Sequence, residues 1–410
     1  MNISYILKYP IRKIISAMND YRLEESLKNR YYWQGKMVSK YMEINPMPRL
    51  TEQEKKEIDD YWKQFGIKYT DYSWFRWYYG VTGIKDPRFI PPSIHAYIIC
   101  PFYNNENFFL AWKDKNLFER FLPNVHFPKV YLKKIHGRFF DATGKFLVST
   151  DVARELVKNM NKAVNEVIVK DAWDSGEGRG VKKYIIKSKD DVNQLMIDWK
   201  NSDNFIVQEV IQQNECFSQF NDSSVNVIRI NSWRHDDQVE ILSATLRIGS
   251  AGQITDICYI DGIERANVCA IKMNGKFGDR IINQFGQYSK TSDVVLKPDI
   301  VIPKWDEILQ IVKESHKKID HFDIIGWDFT VDSKDVVTCI EFNIERPGSV
   351  FYQYVNGPFY GDFTDDILAF LKDKHNQAIY IPRWISSDNN IRKSKDIDDI
   401  TKIIRVGYNK

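Results

Sequence analysis

The first ninety residues carry apolar side chains at helical spacing. In the N-terminal segment these positions are Ile3, Ile6, Leu7, Ile11, Ile14, Ile15 and Met18, a spacing that predicts one apolar helix face. Pro10 interrupts the pattern, so we expect a new helix to start there. Thr51 and Glu54 form a capping box that predicts a further helix, which Gly66 should end. A proline-rich stretch over residues 86–92 then indicates the end of a helical N-terminal region.

Strand-like runs begin after this stretch and alternate with helical patterns. Runs rich in Val, Ile and aromatic residues predict strands over 95–100, 167–170, 183–187, 205–211, 224–233 and 239–249. Helical spacing predicts helices over 149–165, 190–200 and 303–319. Because hairpins occur among these strands and helices, the pattern predicts an α+β fold and not a doubly wound parallel sheet.

Composition and charge narrow the class of protein. The chain has 410 residues, of which 43% are hydrophobic and 28% are charged, as in globular proteins of two or three domains. A net charge of +3 is too balanced to favour dedicated nucleic-acid binding. Five cysteines without a CxxC pair suit a reducing compartment, and neither a signal peptide nor an apolar run of membrane-spanning length is recognisable. We therefore expect a cytoplasmic protein with no nucleic-acid partner, and the sequence leaves its oligomeric state open.

The N-terminal segment 1–40 allows two interpretations. It holds eight Lys or Arg residues against three Asp or Glu. The favoured interpretation is that the segment packs on the rest of the chain, because most apolar stripes at this spacing belong to a core. The alternative is peripheral contact with the anionic inner face of a membrane, where each cation would contribute on the order of 1 kcal/mol.

A glycine-rich hairpin is the first candidate for chemistry. Gly176, Gly178 and Gly180 lie between two predicted strands, where a loop without Cβ atoms can bring backbone N–H groups against phosphate oxygens. Lys170 ends the preceding strand and could reach the same phosphates. The segment is not a P-loop, because GxxxxGK[ST] is absent, and in a protein-kinase glycine loop the lysine would follow the glycines. An ordinary mobile turn is the alternative.

A second predicted hairpin carries carboxylates on one face. Its strands are 324–332 and 336–343, joined by a turn at 333–334. This turn places Asp328 opposite Cys339, and alternation then puts Asp328, Glu341 and Asn343 on one face. The other face is apolar and consists of Trp327, Phe329, Val331, Ile340 and Phe342. Carboxylate and amide oxygens are ligands that Mg²⁺ prefers, so the polar face predicts a Mg²⁺ site; the alternative is a solvated sheet face.

The strands between these two hairpins supply further polar groups. The segment 205–211 could pair with a planar ring through its backbone, and Glu215 could accept hydrogen bonds from hydroxyl groups. Asn226, Arg229 and Arg247 stand on strands that are otherwise largely apolar. Strict alternation places Asn226 and Arg229 on opposite faces, so the pattern alone does not bring both to one site.

Taken in order, these residues resemble those of the ATP-grasp enzymes, and more narrowly of the sugar-transfer-associated ATP-grasp family. The resemblance covers about residues 85–370. It implies that ATP and Mg²⁺ are cofactors, with adenine on the segment 208–211, ribose on Glu215 and the metal on Asp328, Glu341 and Asn343. The implied nucleotide-binding residues are Lys115, Lys170, Gly176, Gly178, Gly180, Gln208, Glu209, Ile211 and Glu215. The implied catalytic residues are Asn226, Arg229, Arg247 and Arg346.

The same resemblance implies an ATP-grasp fold, in which two α+β subdomains clamp ATP after a mainly helical N-terminal region. The expected boundaries are 1–90 for the helical region, 91–205 and 206–375 for the two subdomains, and 376–410 for a polar tail. The implied activity is ATP-dependent ligation of a carboxylate to an amine through an acyl phosphate, on a small-molecule or glycan substrate of cell-surface polysaccharide synthesis. Two alternatives stay open: a kinase of the same fold acting on a sugar or polyol hydroxyl, and a non-catalytic glycan-assembly protein.

Overall fold

The chain divides into two compact units, Met1–Asn107 together with Glu345–Lys410, and Phe108–Ile344. The computed structural model describes residues 3–69, 71–159, 165–173, 180–260, 263–297 and 299–372. The unit boundaries at residues 107 and 344 differ from the predicted boundary at residue 90, because the segment after residue 344 groups with the helical unit. The predicted tail 376–410 lies outside the described residues. Within that unit, Trp77 Nε1 donates a hydrogen bond of 2.9 Å to the Tyr354 hydroxyl.

The first unit is mainly helical, as predicted. Its helices are Ile3–Ile44, Glu52–Lys63, Ser73–Thr82, Pro92–Ile94, the π-helix His95–Ile99, Cys100–Tyr103, Val350–Asn356 and Thr364–Leu368, with 3₁₀ turns at Gly361–Phe363 and Ala369–Lys372. The capping box is present, since the backbone N–H groups of Thr51 and Glu54 each donate to the other's side chain. Among the described residues, none of the helices combines the length and apolarity needed to cross a bilayer.

Two predictions in this unit were wrong. Pro10 does not start a new helix, because one helix runs over Ile3–Ile44; a proline removes a single hydrogen bond from the ladder, and the turns on both sides persist. The segment 95–100 is helical instead of extended, with His95, Ile98 and Cys100 buried. A short apolar run cannot be told from a buried helical segment by its periodicity.

Six antiparallel strands form the first sheet of the second unit. They are β1 (Val130–Ile135), β2 (Arg138–Asp141), β3 (Phe146–Leu147), β4 (Glu166–Asp171), β5 (Val181–Ile185) and β6 (Phe205–Glu209), in the spatial order β3-β2-β1-β6-β4-β5. The helices Ser149–Asn159 and Lys189–Asp198 pack on this sheet, and Leu156 and Leu195 enter the shared core. The strands predicted at 167–170, 183–187 and 205–211 are confirmed as β4, β5 and β6.

The second sheet of this unit is built from the strands that follow β6 in the chain. They are β7 (Val227–His235), β8 (Gln238–Ile248), β9 (Cys258–Ile260), β10 (Ile263–Arg265), β11 (Asn267–Ile271), β12 (Phe277–Asn283), β13 (Tyr288–Lys290), β14 (Ile324–Val331) and β15 (Val337–Asn343). Seven of them form the antiparallel sheet, in the order β13-β12-β11-β8-β7-β14-β15, whereas β9 and β10 pair only with each other. The helix Trp305–His316 covers the sheet, with Trp305, Ile308 and Val312 in the core. The shorter helices and 3₁₀ turns are Glu106–Phe108, Phe109–Trp112, Lys115–Leu117, Phe118–Phe121, Glu215–Ser218 and Thr291–Val294.

The turn and a bulge of the β14–β15 hairpin each change the predicted register by one residue. Val331 pairs with Val337 beside the turn, and beyond the bulge the partner of Asp328 is Glu341 and not Cys339, so that expected pairing was wrong. Ile340 is the extra residue of the bulge, and it leaves the core face to line a pocket. The predicted polar face is confirmed, because Asp328, Glu341 and Asn343 still lie on the same side of the hairpin.

Candidate active site

A pocket of about 440 Å³ in the second unit is lined by residues of both sheets. Its apolar lining includes Pro128, Ile168, Val181, Ile211, Ile254 and Ile340. Its charged lining includes Lys115, Lys170, Arg247, Asp256, Asp328 and Glu341. Apolar walls with a few converging charged groups are typical of sites for small molecules and cofactors.

Asp328 is the centre of a buried cluster of charges. It lies on β14 between β7 and β15, where its cross-strand partners are Arg229 and Glu341. Arg229 binds both carboxylate oxygens, with Nη2 at 2.9 Å from Oδ2. Arg247 Nη2 lies 3.0 Å from the same Oδ2, and Asn343 Nδ2 donates to it at 3.1 Å. The structure thus brings together two of the predicted catalytic arginines and two of the predicted metal ligands.

Two carboxylates that contact Arg247, those of Asp328 and Asp256, have opposite pKa shifts. Burial alone would raise the pKa of Asp328, but the adjacent Arg229 and Arg247 more than offset it, so its pKa lies below the ordinary value of 3.8. Burial raises the pKa of Asp256, only partly offset by Arg247. Asp256 is therefore the more easily protonated of the two carboxylates. Arg247 contacts both of them.

The two predicted phosphate-binding lysines also reach the pocket. Lys115 Nζ lies 3.1 Å from the Glu341 carboxylate, and its backbone N–H donates to the Ala172 carbonyl at 2.9 Å. Desolvation lowers the pKa of Lys170 to about 8, from an ordinary 10.5, although Glu341 acts to raise it. Both lysines are thus held near the carboxylates, in the arrangement that an anionic ligand needs.

The predicted hinge is only partly in the pocket. Glu209 and Ile211 line it, together with Val210. Gln208 is buried, and its Nε2 donates to the Pro128 carbonyl at 3.3 Å, so it supports the hinge from behind. Of the predicted glycines, Gly176 and Gly178 lie outside the described residues, and Gly180 has a φ of +69° beside Asp171.

We expect Gly180→Ala to destabilise the protein more than Gly252→Ala. Both positions have positive φ, which strains any residue with a Cβ atom by about 1–2 kcal/mol. Only at Gly180 would the new Cβ also meet the Asp171 carboxylate, whereas at Gly252 nothing lies within 4 Å. Urea unfolding midpoints of both variants measure the difference; equal midpoints would contradict the packing argument.

Three predicted site residues lie away from the pocket. Glu215 is 80% exposed in its side chain and pairs with Lys297 at 3.6 Å, because the short helix that it begins turns it outward. Asn226 is buried and donates to the carbonyls of Phe217 and Asn221, so it holds a loop. Arg346 belongs to the other unit.

In that unit the Arg346 guanidinium lies 2.9 Å from Glu106 and over the ring of Tyr97. Arg346 follows Asn343 by three residues in the chain, but it is not among the residues that line the pocket, and the chain leaves the second unit after Ile344.

Four charged pocket residues were not among the predicted site residues: Glu166, Lys183, Asp222 and Asp256. Asp256 contacts Arg247, and Glu166 pairs with Lys183 at 2.9 Å. The signal for Glu166 was available, because it precedes Lys170 by four residues on β4 and alternation puts both on one face. Asp256 follows β8 in irregular structure, where no periodicity predicts the direction of a side chain.

The donor set on the hairpin fits a hard divalent cation. Asp328, Glu341 and Asn343 supply only oxygen ligands, which Mg²⁺ prefers over nitrogen and sulfur. In the part of the chain that the structure describes, no group of three or more His, Cys, Asp or Glu residues forms an alternative metal cluster. A cation at this site would have to compete for Asp328 with Arg229 and Arg247, which already contact its carboxylate.

This arrangement of two antiparallel sheets around a charged pocket is an ATP-grasp fold. The chain belongs to the sugar-transfer associated ATP-grasp family, whose profile matches residues 96–361. The resemblance noted in the sequence is thereby confirmed. No curated protein sequence matches the chain.

Solved structures similar in fold include three ligases or synthetases. The ATP-grasp ligase PsnB with its minimal precursor is 13% identical over 63% of this chain and 61% of its own, with a TM-score of 0.37. D-alanyl-alanine synthetase A from Vibrio cholerae is 11% identical over 64% of each chain, with a TM-score of 0.38. N5-carboxyaminoimidazole ribonucleotide synthetase with ADP is 7% identical over 58% of this chain and 46% of its own, with a TM-score of 0.35. This chain thus spans less than two thirds of each, and the likeness concerns the fold alone.

Proposed function

We propose that this protein is an ATP- and Mg²⁺-dependent ligase that joins a carboxylate to an amine in glycan biosynthesis. The observation that carries the proposal is the pocket in which Lys115, Lys170 and Arg247 face the carboxylates of Asp328 and Glu341. Such a combination suits transfer of a phosphoryl group, which is catalysed mainly by positioning and by charge stabilisation. The family description, sugar-transfer associated ATP-grasp, supports a substrate from glycan metabolism.

In the proposed reaction, a substrate carboxylate oxygen attacks the γ-phosphorus of ATP and the bond to the β–γ bridging oxygen breaks. ADP leaves and an acyl phosphate forms. The nitrogen of an amine then attacks the acyl carbon, phosphate leaves, and the nitrogen loses a proton. These steps need no side-chain nucleophile.

The two lysines, Arg247 and the ligands on the hairpin each have a part in this scheme. Lys115 and Lys170 would bind the phosphate oxygens, and Arg247 would stabilise the charge that develops on the transferred phosphoryl group. Asp328, Glu341 and Asn343 would hold Mg²⁺, which when bound neutralises charge on the phosphate oxygens. The segment with Glu209 and Ile211 would offer its backbone to the base, beside the apolar lining.

An ATP consumption assay with candidate carboxylates tests the ligase proposal. The purified protein, ATP and Mg²⁺ are incubated with uronic acids or amino acids, with and without hydroxylamine, and ADP, phosphate and product mass are measured. We expect carboxylate-dependent ADP formation and a hydroxamate in the presence of hydroxylamine. A phosphorylated hydroxyl product without free phosphate would instead establish the kinase alternative. If the protein does not bind nucleotide, the non-catalytic alternative holds.

We expect nucleotide affinity to fall as the pH rises through about 8. Lys170, with a pKa of about 8 in the free protein, loses its charge over this range, and a triphosphate favours the protonated amine. One proton allows at most about a tenfold loss of affinity per pH unit. Calorimetric titration with a non-hydrolysable ATP analogue between pH 6.5 and 9.5 measures the profile. Lys170→Arg should flatten it, and a flat wild-type profile would contradict the assignment.

A further inference from the structure

One oxygen of the Asp328 carboxylate, the Oδ2 that faces Asn343, has no acceptor position left in this structure. Three donors reach Oδ2, namely Nη2 of Arg229, Nη2 of Arg247 and Nδ2 of Asn343, whereas Nε of Arg229 binds Oδ1. Each carboxylate oxygen offers about two lone-pair directions. A cation held between Asp328 Oδ2 and Asn343 can therefore bind only after one of these donors has moved away.

Arg247 is the donor that can leave most easily. Arg229 binds both oxygens of Asp328 and stands directly opposite it on β7. Arg247 contacts Asp328 through Nη2 and lines the pocket, whereas Arg229 is not part of the lining. Arg247 also has a second carboxylate partner, Asp256, through Nε. Loss of the Asp328 contact would thus leave the Arg247 charge paired.

We propose that Arg247 is a movable positioning residue that closes the metal site in the absence of nucleotide. When the metal-bound triphosphate binds, the Arg247 guanidinium loses its contact with Asp328 and keeps its contact with Asp256. The freed Nη2 of Arg247 then donates to a phosphate oxygen. The metal site then opens only together with the nucleotide site. The inference rests on the proposed binding of ATP and Mg²⁺, and it adds the order in which they can bind.

Binding of Mn²⁺, a paramagnetic substitute for Mg²⁺, tests the proposal without turnover. Free Mn²⁺ is measured by electron paramagnetic resonance in titrations of the full chain with and without the ATP analogue AMP-PNP. We expect the complex of the wild-type protein with AMP-PNP to bind Mn²⁺ at least about tenfold more tightly than free AMP-PNP does. Without AMP-PNP, the wild-type protein should show no comparable Mn²⁺ site. Failure to bind AMP-PNP at all would overturn the proposed function and with it this inference.

Removal of the Arg247 contact should open the site without nucleotide. We expect Arg247→Gln to bind Mn²⁺ at least about tenfold more tightly than the wild type in the absence of AMP-PNP. Arg247→Lys keeps a cation for folding but cannot span both carboxylates, so its nucleotide-free Mn²⁺ affinity should also rise. Arg234→Gln is the matched control, because Arg234 lies on the neighbouring strand β7 and pairs with Asp323 outside the pocket.

The variant Asp256→Asn tests whether Asp256 is the carboxylate that Arg247 keeps when it leaves Asp328. In Asp256→Asn the guanidinium has no second carboxylate, so we expect Mn²⁺ to bind the AMP-PNP complex at least about tenfold more weakly than in the wild type. Unchanged affinity would exclude Asp256 as the alternative partner. If AMP-PNP binds normally but both Arg247 variants keep wild-type Mn²⁺ affinity without nucleotide, Arg247 does not close the site, and only this inference fails.

Discussion

Replacing Glu341 with Ala should lower Mg²⁺-dependent ATP turnover by about 100- to 1,000-fold while leaving the protein folded. Loss of a single charge that stabilises the transition state has an effect of this size. The Glu341 side chain is 26% exposed and contacts Lys115 at 3.1 Å. Since an ion pair at a partly exposed position contributes only about 0–1 kcal/mol to stability, the unfolding midpoint should hardly move.

The measurement combines steady-state ADP formation with urea unfolding. Glu314→Ala is a suitable control, because Glu314 is an exposed carboxylate on the helix Trp305–His316 whose side chain accepts from Gln310 at 2.8 Å. We expect this control to retain wild-type activity. Wild-type turnover in Glu341→Ala would mean that the polar face of the hairpin does not take part in the reaction.

Replacing Asp328 with Ala should abolish activity and also destabilise the second unit by about 3–5 kcal/mol. Removal of one partner from a buried ion pair leaves the other charge without compensation, and this is the size of effect then seen. Asp328 is 1% exposed, and Arg229, its bidentate partner, is 4% exposed. The loss should appear as a large downward shift of the urea midpoint, in contrast to Glu341→Ala.

Asp323→Ala provides the comparison within the same sheet. Asp323 pairs with Arg234 at 2.9 Å, but its side chain is 36% exposed, so the expected loss is only about 0–1 kcal/mol. Replacing the buried pair together, with Arg229→Met and Asp328→Leu, should recover much of the stability but none of the activity. Equal destabilisation by Asp328→Ala and Asp323→Ala would contradict the role of burial.

The local pattern of the sequence was enough to predict the main elements around the site. Alternation on β14 and β15 predicted the shared face of Asp328, Glu341 and Asn343, because side-chain direction in a strand depends only on residue parity. Parity did not predict the turn centred on Lys334 or the bulge at Ile340; each shifts the pairing by one residue, and the shared face is kept because the two shifts cancel. A bulge depends on how the hairpin packs, and that information is not local.

Sequence order was less informative for residues outside regular strands. Glu215 and Asn226 lie in or beside turns, and the packing of these turns directs the first outward and the second into loop carbonyls. Asp256 reaches the pocket from irregular structure. Arg346 lies three residues beyond Asn343 in the chain, yet it belongs to the other unit.

By itself, then, the sequence determined which residues within a strand share a face and the family to which the chain belongs. Hydrophobic periodicity and short motifs carry that information, since both act over a few residues. Only the tertiary structure decided the partners of the buried charges. Asp328 meets Arg229 and Arg247 because β7, β8 and β14 are adjacent in one sheet, although the three residues are far apart in the chain. A buried charge needs a partner of opposite charge. The order of the strands, which no local pattern contains, determines which partner it meets.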